Sequence, residues 1–178
     1  MKKIKNEELG RMSVDEFRAA EKPAVVIVLD NVRSLNNVGS IFRTADAFLC
    51  EAIYLCGITG QPPHREIEKT ALGATDSMRW KYFVSTLAAL TELKEEGYYI
   101  VAIEQAEGGV FLNDFVAEKG RKYALVFGHE MHGVSDDVLE RVDAAIEVPQ
   151  QGTKHSLNIA VCAGIVVWEF FKGMQNAK

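Results

Sequence analysis

The segment from residue 146 to 165 reads IEVPQQGTKHSLNIAVCAGI, and it joins three different kinds of sequence. It starts inside an apolar run, AAIEV (144–148), continues through a polar stretch with Pro149 and Gly152, and ends in small and apolar residues. A short apolar run is typical of a buried strand, and Ser156 is a favourable N-cap for the helix that we expect to follow. The segment therefore predicts a strand, a glycine-bearing loop and a helix in direct succession.

Four other apolar runs have the same character and lie earlier in the chain: AVVIVL (24–29), AIYLC (52–56), YYIVAI (98–103) and YALVF (123–127). Most are continuous rather than alternating, as expected for strands that are buried on both faces of a parallel sheet. Helical patterns lie between them, with apolar faces at Val38, Ile41, Ala45 and Phe48 and at Leu87, Leu90 and Leu93. This alternation predicts an α/β fold with helices on both faces of a parallel sheet.

Composition sets limits on the class of protein. The 178 residues are 48% hydrophobic, which suits one compact domain over residues 1–178. The net charge of -5 argues against a protein that coats nucleic acid by bulk attraction, although a local basic patch remains possible. Three cysteines without a C-x-x-C pair favour the reducing cytoplasm over a disulfide framework. The chain offers no apolar leader and no run long enough to span a bilayer, so we expect no membrane partner.

The loops that follow the predicted strands carry the polar and glycine residues, and ligands of parallel sheets bind at these carboxyl ends. One of them, FGHEMHGVS (127–135), contains two histidines and a glutamate. Their spacing does not match H-E-x-x-H, so we expect loop histidines that hydrogen-bond to backbone, and no metal.

Other catalytic signatures are missing from the sequence. The first strand is not followed by G-x-G-x-x-G, and neither a Walker lysine motif nor G-x-S-x-G occurs. Cys50, Cys56 and Cys162 sit among apolar residues, which favours a packing role. Nicotinamide, phosphate-loop and acyl-enzyme chemistry are therefore disfavoured.

Three loops together resemble the motifs of a known family: NNVGSIFRTADAF (36–48), LVFGHEMHGVS (125–135) and IEVPQQGTKHSLNIAVCAGI (146–165). In this order and spacing they are similar to the SpoU, or TrmH-like, family of RNA ribose 2'-O-methyltransferases of the SPOUT superfamily. The resemblance covers roughly residues 24–172, which would be the catalytic fold after a short N-terminal extension (1–23). It implies a Rossmann-like three-layer fold with a deep C-terminal trefoil knot, S-adenosylmethionine as methyl donor, and a homodimer that completes the active site.

The implied activity is methyl transfer from S-adenosylmethionine to a ribose 2'-hydroxyl of tRNA or rRNA. A catalytically silent, RNA-binding member of the same fold is the alternative. A third and weaker interpretation is an unrelated nucleotide-binding α/β domain. For the dimer surface, the apolar C-terminal helix with Trp168, Phe170 and Phe171 is a candidate, although the same side chains also suit the core.

The resemblance assigns catalytic roles to five residues: Asn37, Arg43, Glu130, Ser156 and Asn158. Arg43 would orient the ribose hydroxyl and stabilise negative charge, because a guanidinium is a poor base. Glu130 would pair with Arg43 or hold the ribose, and Asn37 would orient Arg43 or a carboxylate. Read alone, Asn37 and Ser156 are also ordinary helix N-caps, and Arg43 and Glu130 are ordinary surface charges.

Binding residues follow from the same resemblance. The donor is expected against Ile103, Gly128, Val148 and Leu157. A basic group beside His64 is the candidate RNA contact, although charged stretches are usually solvated faces: Arg65, Lys69, Arg79 and Lys81. His129 and Met131 stand where family members most often have asparagine and glycine, so they would reshape the donor pocket.

Overall fold

The computed structural model describes residues 1–176, in which seven strands form one parallel sheet. The strands are β1 (Val25–Asp30), β2 (Ala52–Cys56), β3 (Trp80–Phe83), β4 (Tyr99–Ile103), β5 (Val110–Phe111), β6 (Tyr123–Phe127) and β7 (Ala144–Glu147). The α-helices are α1 (Val14–Ala19), α2 (Leu35–Ala47), α3 (Arg65–Ala71), α4 (Ala74–Ser77), α5 (Thr86–Glu95), α6 (Asp136–Leu139) and α7 (Ile159–Asn176). A short 3-10 helix (Asn6–Glu8) precedes them.

The sheet order is β3-β2-β1-β6-β4-β7-β5. The chain first builds outward from β1 through β2 to β3, and then crosses to the other side of β1 to form the remaining strands. β6 pairs with both β1 and β4, and β4 pairs with β7. The strand order reverses beside β1, and ligands of open parallel sheets bind outside the carboxyl ends of the strands at such a reversal.

Two hydrophobic cores cover the two faces of this sheet. Alternate residues of β1 enter different cores: Ile27 and Leu29 pack with α2 and α7, whereas Val26 and Val28 pack with α5 and α6. Every residue of β1, β2 and β6 is buried, which explains why these runs are apolar throughout rather than alternating. The resulting three-layer architecture confirms the predicted α/β fold with helices on both faces of a parallel sheet.

The five predicted strands are all present, with ends that differ by one residue at most. Two further strands, β3 and β5, were not predicted. β3 is an edge strand whose residues are half-buried or exposed, and β5 has only two residues. Neither therefore carries the continuous apolar run that marks the central strands.

The predicted start of the last helix at Ser156 is wrong, because α7 begins at Ile159. Asn158 caps it instead: its side-chain Oδ1 accepts hydrogen bonds from the N–H groups of Ala160 at 2.9 Å and Val161 at 3.3 Å. A capping side chain must reach the second or third N–H of its helix, and Ser156 lies too far upstream. In the same way α2 is capped by Ser34, not by Asn37. Among residues 1–176 the structure contains no helix with the length and apolarity needed to cross a bilayer.

Candidate functional site

A cleft opens at the carboxyl edge of the sheet, where the loops after β4, β6 and β7 meet the start of α7. Its volume is about 570 Å³, within the range that protein sites use for ligands of cofactor size. All four residues predicted to hold a donor line it: Ile103, Gly128, Val148 and Leu157. Glu130, Ser156 and Asn158 line it as well. Residues from separate parts of the sequence therefore meet in one cavity.

Asn37 connects the three sequence motifs through its side-chain amide. Its Nδ2 donates to Oε1 of Glu130 at 3.2 Å, and its Oδ1 accepts from Nδ2 of Asn158 at 3.1 Å. Because Asn158 also caps α7, one chain of hydrogen bonds ties α2, the loop after β6 and the start of α7 together. The prediction that Asn37 orients a carboxylate agrees with this geometry, and that carboxylate belongs to Glu130.

Glu130 sits at the N-terminus of α2. Its carboxylate accepts from the backbone N–H groups of Arg33 at 3.0 Å and Ser34 at 2.9 Å, besides the amide of Asn37. Burial alone would raise the pKa of Glu130, but these hydrogen bonds to the charged form outweigh it and hold the pKa below the ordinary 4.5. The positive end of the helix dipole acts in the same direction. Glu130 is therefore a fixed anion that positions the first turn of α2.

Two more carboxylates hold the loop after β6 in place. Glu104, directly after β4, accepts from the backbone N–H groups of Gln105 and Val134, each at 2.9 Å. Asp30, at the end of β1, is only 1% exposed and accepts from both the N–H and the hydroxyl of Ser135 at 3.0 Å. The loop is thus anchored from β4 and from β1.

Gly128 and Gly133 are needed where this loop closes on itself. A Cβ at Gly128 would lie 2.0 Å from the carbonyl carbon of Gly133 and 2.1 Å from the nitrogen of Val134. Gly133 has φ +68, and a Cβ there would lie 2.0 Å from Oε2 of Glu104. The close approach of two backbone segments shapes this wall of the cleft.

Of the two histidines in the loop, His129 is held by backbone hydrogen bonds and His132 lies against its ring. The N–H of Met131 donates to Nδ1 of His129 at 3.0 Å, and the His129 and His132 rings lie 4.8 Å apart. Among residues 1–176 no group of three or more His, Cys, Asp or Glu side chains has the geometry to hold a metal ion. Met131 lines the cleft and is 75% exposed, so most of its side chain faces solvent.

The cysteine in the cleft is Cys162, on the first turn of α7. Burial, with a smaller effect of the negative charge of Glu104, raises the pKa of its thiol to about 11. Burial likewise raises the pKa of Cys50 and of Cys56 to about 12. Thiols with such pKa values are protonated near neutral pH, as expected for packing residues.

Arg43 is not in this cleft. It lies on the exposed side of α2, opposite the buried Val38, Ile41 and Ala45, and lines a second groove of about 490 Å³ between α2 and α3. Six residues along a helix correspond to a rise of about 9 Å and a rotation of about 240°, so Arg43 points away from Asn37. The predicted Glu130–Arg43 pair is therefore wrong within one chain, because Glu130 bonds to the N-terminus of α2 instead.

The four candidate RNA contacts fall into two separate places. Arg65 and Lys69 are exposed on α3, and Lys69 lines the same groove as Arg43. Arg79 precedes the edge strand β3, and Lys81, on that strand, is paired with Glu92. His64 caps α3, its Nδ1 accepting from the N–H of Glu66 at 3.2 Å. The predicted single basic cluster is thus divided, because β3 carries the chain away from α3.

Several cleft residues were not predicted as site residues. Glu104 and Gln105 follow β4, Glu147 ends β7, and His155 lies in the loop before α7. Only their positions in the sequence could have indicated them, because each lies at or after the end of an apolar run that forms a strand. The backbone N–H groups that bind Glu130 could not be predicted from residue types, because every residue except proline has such a group.

The fold is that of a parallel α/β protein with a cleft at the carboxyl edge of its sheet. Residues 24–168 match the model of the SpoU rRNA Methylase family. This match covers most of the chain, so the chain belongs to the SpoU rRNA Methylase family, as its three motifs predicted.

Known relatives are RNA-modifying enzymes. The chain is 31% identical over 158 residues to the 23S rRNA (guanosine-2'-O-)-methyltransferase RlmB of Nitrosomonas europaea, an overlap of 89% of this chain and 60% of that protein. It is 30% identical over 166 residues to the tRNA (guanosine(18)-2'-O)-methyltransferase of Thermus thermophilus, covering 91% of this chain and 81% of that protein.

A solved structure with the same fold is the AdoMet-bound rRNA methyltransferase from Sinorhizobium meliloti. Its TM-score is 0.79 at 27% identity, over 88% of this chain and 59% of that chain. The chain thus spans about 60% of the length of the Nitrosomonas and Sinorhizobium proteins.

Proposed function

We propose that the chain is an S-adenosylmethionine-dependent RNA methyltransferase that methylates a ribose 2'-hydroxyl of tRNA or rRNA. The observation that carries this proposal is the hydrogen-bonded chain Glu130–Asn37–Asn158, which joins all three family motifs at the cleft. A fold kept only for packing has no need of polar side chains from three loops converging on a cavity. The relatives named above, which methylate rRNA and tRNA, support the same activity and leave the RNA class open.

The cleft fits S-adenosylmethionine in size and chemistry. Apolar side chains of Ile103, Val148 and Leu157 offer a surface for an adenine ring, and the polar loop residues offer partners for a methionyl tail. The lining includes three carboxylates, Glu104, Glu130 and Glu147, and no Lys or Arg among the described residues, which suits a ligand with a positive sulfonium. When bound, that sulfonium supplies an electrophilic methyl group.

The residues of the chain would position the acceptor and stabilise charge. The hydroxyl of Ser156 lies at the cleft and would hold a ribose hydroxyl. Asn158 lines the cleft too, but its amide caps α7 and donates to Asn37, so it would act by keeping the start of α7 in place. Glu130 holds the N-terminus of α2 beside the cleft, because its carboxylate accepts hydrogen bonds from the backbone N–H groups of Arg33 and Ser34. A guanidinium such as that of Arg43 would orient the 2'-hydroxyl and stabilise the negative charge that develops on its oxygen as the proton passes to a phosphate oxygen or to water.

A homodimer would supply the missing guanidinium. Arg43 is exposed and lies outside the cleft of its own chain. In a homodimer, Arg43 of one copy would reach the cleft of the other. α7 presents an apolar stripe with helical spacing at Val161, Ile165 and Trp168, which are 53%, 40% and 50% exposed. Phe170, in contrast, is 1% exposed and belongs to the core. The trefoil knot and the cytoplasmic location stay predictions that rest on the family likeness and on the sequence.

The test is methyl transfer. Labelled S-adenosylmethionine would be incubated with the protein and with separate tRNA and rRNA fractions, and the modified ribose would then be mapped. Label at a 2'-O position in one fraction is the expected result. Donor binding by calorimetry without transfer to either RNA would favour the silent RNA-binding alternative, and absence of donor binding would count against both.

A further inference from the structure

The groove between α2 and α3 is lined by cations, whereas the cleft is lined by carboxylates. Two cations, Arg43 and Lys69, line it together with the hydroxyl residues Thr44 and Thr70. Phe48 and Leu72 form its apolar part. None of the described residues that line it is acidic. In a chain with net charge -5, a groove with two cations and no carboxylate is suited to an anionic ligand.

The two cations project from helices that are in close contact, α2 and α3. A Cβ at Gly39 would lie 2.2 Å from the carbonyl oxygen of Ile67, so the helix backbones touch there. The hydroxyl of Thr70 donates to the carbonyl of Asn36 at 2.9 Å across the same contact. Arg43 follows Gly39 by one turn, and Lys69 precedes Thr70 by one residue. The groove is therefore built on two rigid elements rather than on a loop.

The apolar part of the groove is unusual for a solvent-facing surface. Leu72 is 66% exposed and has a left-handed backbone conformation, with φ 51, where α3 ends. An exposed leucine beside two cations matches what a nucleotide needs, since its phosphate binds cations and its base or sugar packs on apolar side chains.

We propose that this groove is a phosphate subsite for the RNA strand next to the methylated ribose, with Lys69 as the second cation beside Arg43. The inference rests on the proposed function for the identity of the anion. It also separates the candidate RNA contacts: Lys69 belongs to the RNA path, whereas Lys81, paired with Glu92 on the edge strand β3, does not.

The experiment compares Lys69→Ala with Lys81→Ala, because both remove one exposed lysine. Binding of a fluorescein-labelled RNA of mixed sequence would be followed by anisotropy between about 50 and 200 mM salt. Lys69→Ala should weaken binding about fivefold and reduce the slope of log affinity against log salt by about 0.7 to 1. Lys69→Arg should restore both, and Lys81→Ala should change neither.

Equal effects of Lys69→Ala and Lys81→Ala, or no effect of Lys69→Ala on affinity and slope, would overturn the proposal. A change of oligomeric mass in Lys69→Ala without a change in salt slope would assign the groove to a second copy of the chain, and would overturn it too. Calorimetry with S-adenosylmethionine separates this test from the proposed function. If RNA binding depends on Lys69 but no methyl transfer occurs, the proposed enzyme activity is wrong and the phosphate subsite is still supported.

Discussion

The side-chain amide of Asn158 donates a hydrogen bond of 3.1 Å to the side-chain oxygen of Asn37, although 121 positions separate the two residues in the chain. Asn158 at the same time caps α7, and Asn37 at the same time donates to Glu130. The stability of the cleft and the positions of its polar groups are therefore linked. Substitutions in this network should change both.

Replacement of Asn37 by Asp should destabilise the protein. The new carboxylate would face Oε1 of Glu130, where the amide now donates at 3.2 Å, so a hydrogen bond becomes a repulsion. We expect the free energy of unfolding in urea at pH 7 to fall by about 1–3 kcal/mol. Asn36→Asp, which adds the same charge at the exposed neighbouring position, is the control and should stay within about 0.5 kcal/mol of the wild type. Equal losses in both variants would show that the network contributes nothing specific.

Glu130 predicts a pH dependence of stability. Its pKa is lower in the folded protein than the ordinary 4.5, so the ionised carboxylate stabilises the fold. This contribution is fully present above the unfolded pKa and is lost as the pH falls through the lower folded pKa. The difference in unfolding free energy between the wild type and Glu130→Gln should be constant from pH 7 down to about 5.5 and shrink below about 4.5. Glu95→Gln, at an exposed position of α5, should show no such change, and a difference that grows on acidification would contradict the assignment.

Alanine substitutions at Gly128 and Gly152 should differ in their effect on stability, because only Gly128 is closely packed. A Cβ at Gly128 would overlap the backbone of Gly133 and Val134, whereas a Cβ at Gly152 meets no atom within 4 Å. Gly128→Ala should therefore lower the unfolding free energy by about 2–4 kcal/mol, and Gly152→Ala should change it by less than about 0.5 kcal/mol. Thermal unfolding of both variants would measure this. A tolerated alanine at position 128 would show that the loop after β6 is free to shift.

The sheet was predictable because its central strands are buried on both faces, which requires continuous apolar runs such as YALVF (123–127). The edge strand β3 lacks this constraint and was missed. Motif likeness assigned Asn37, Glu130 and Asn158 to one site, and Asn37 hydrogen-bonds to both of the others. Their catalytic roles stay predictions. The apolar face of α2 at Val38, Ile41 and Ala45 predicts that Arg43 lies on the opposite, exposed side. Its separation from the cleft was not predictable, because that depends on how the helix packs rather than on residue type.

Trp168 tests the proposed dimer. It is 50% exposed on α7 and lies in line with Val161 and Ile165, while its ring packs at a tilt against Phe48 with 5.7 Å between centroids. Trp168→Glu should shift the mass measured by light scattering from two copies toward one, because a charge in an apolar contact is poorly tolerated. Gln175→Glu on the same helix is the control and should leave the mass unchanged. Circular dichroism would show that α7 persists, and an unchanged dimer in Trp168→Glu would place the interface elsewhere.

Glu104 should distinguish the methyl donor from its product. S-adenosylmethionine carries a positive sulfonium, whereas the sulfur of S-adenosylhomocysteine is neutral, and the cleft is lined by three carboxylates without a described Lys or Arg. Glu104→Gln removes one of these charges, so calorimetry should show donor binding weakened by about threefold to fivefold and product binding weakened less. Glutamine can accept through only one oxygen, so the N–H of Gln105 or that of Val134 also loses its partner. The lost hydrogen bond would weaken the binding of donor and product equally. The ratio of their two affinities therefore reports only the effect of the removed charge. Glu107→Gln, an exposed substitution in the same loop, should leave the ratio unchanged, and an unchanged ratio in Glu104→Gln would show that the cleft does not select its ligand by charge.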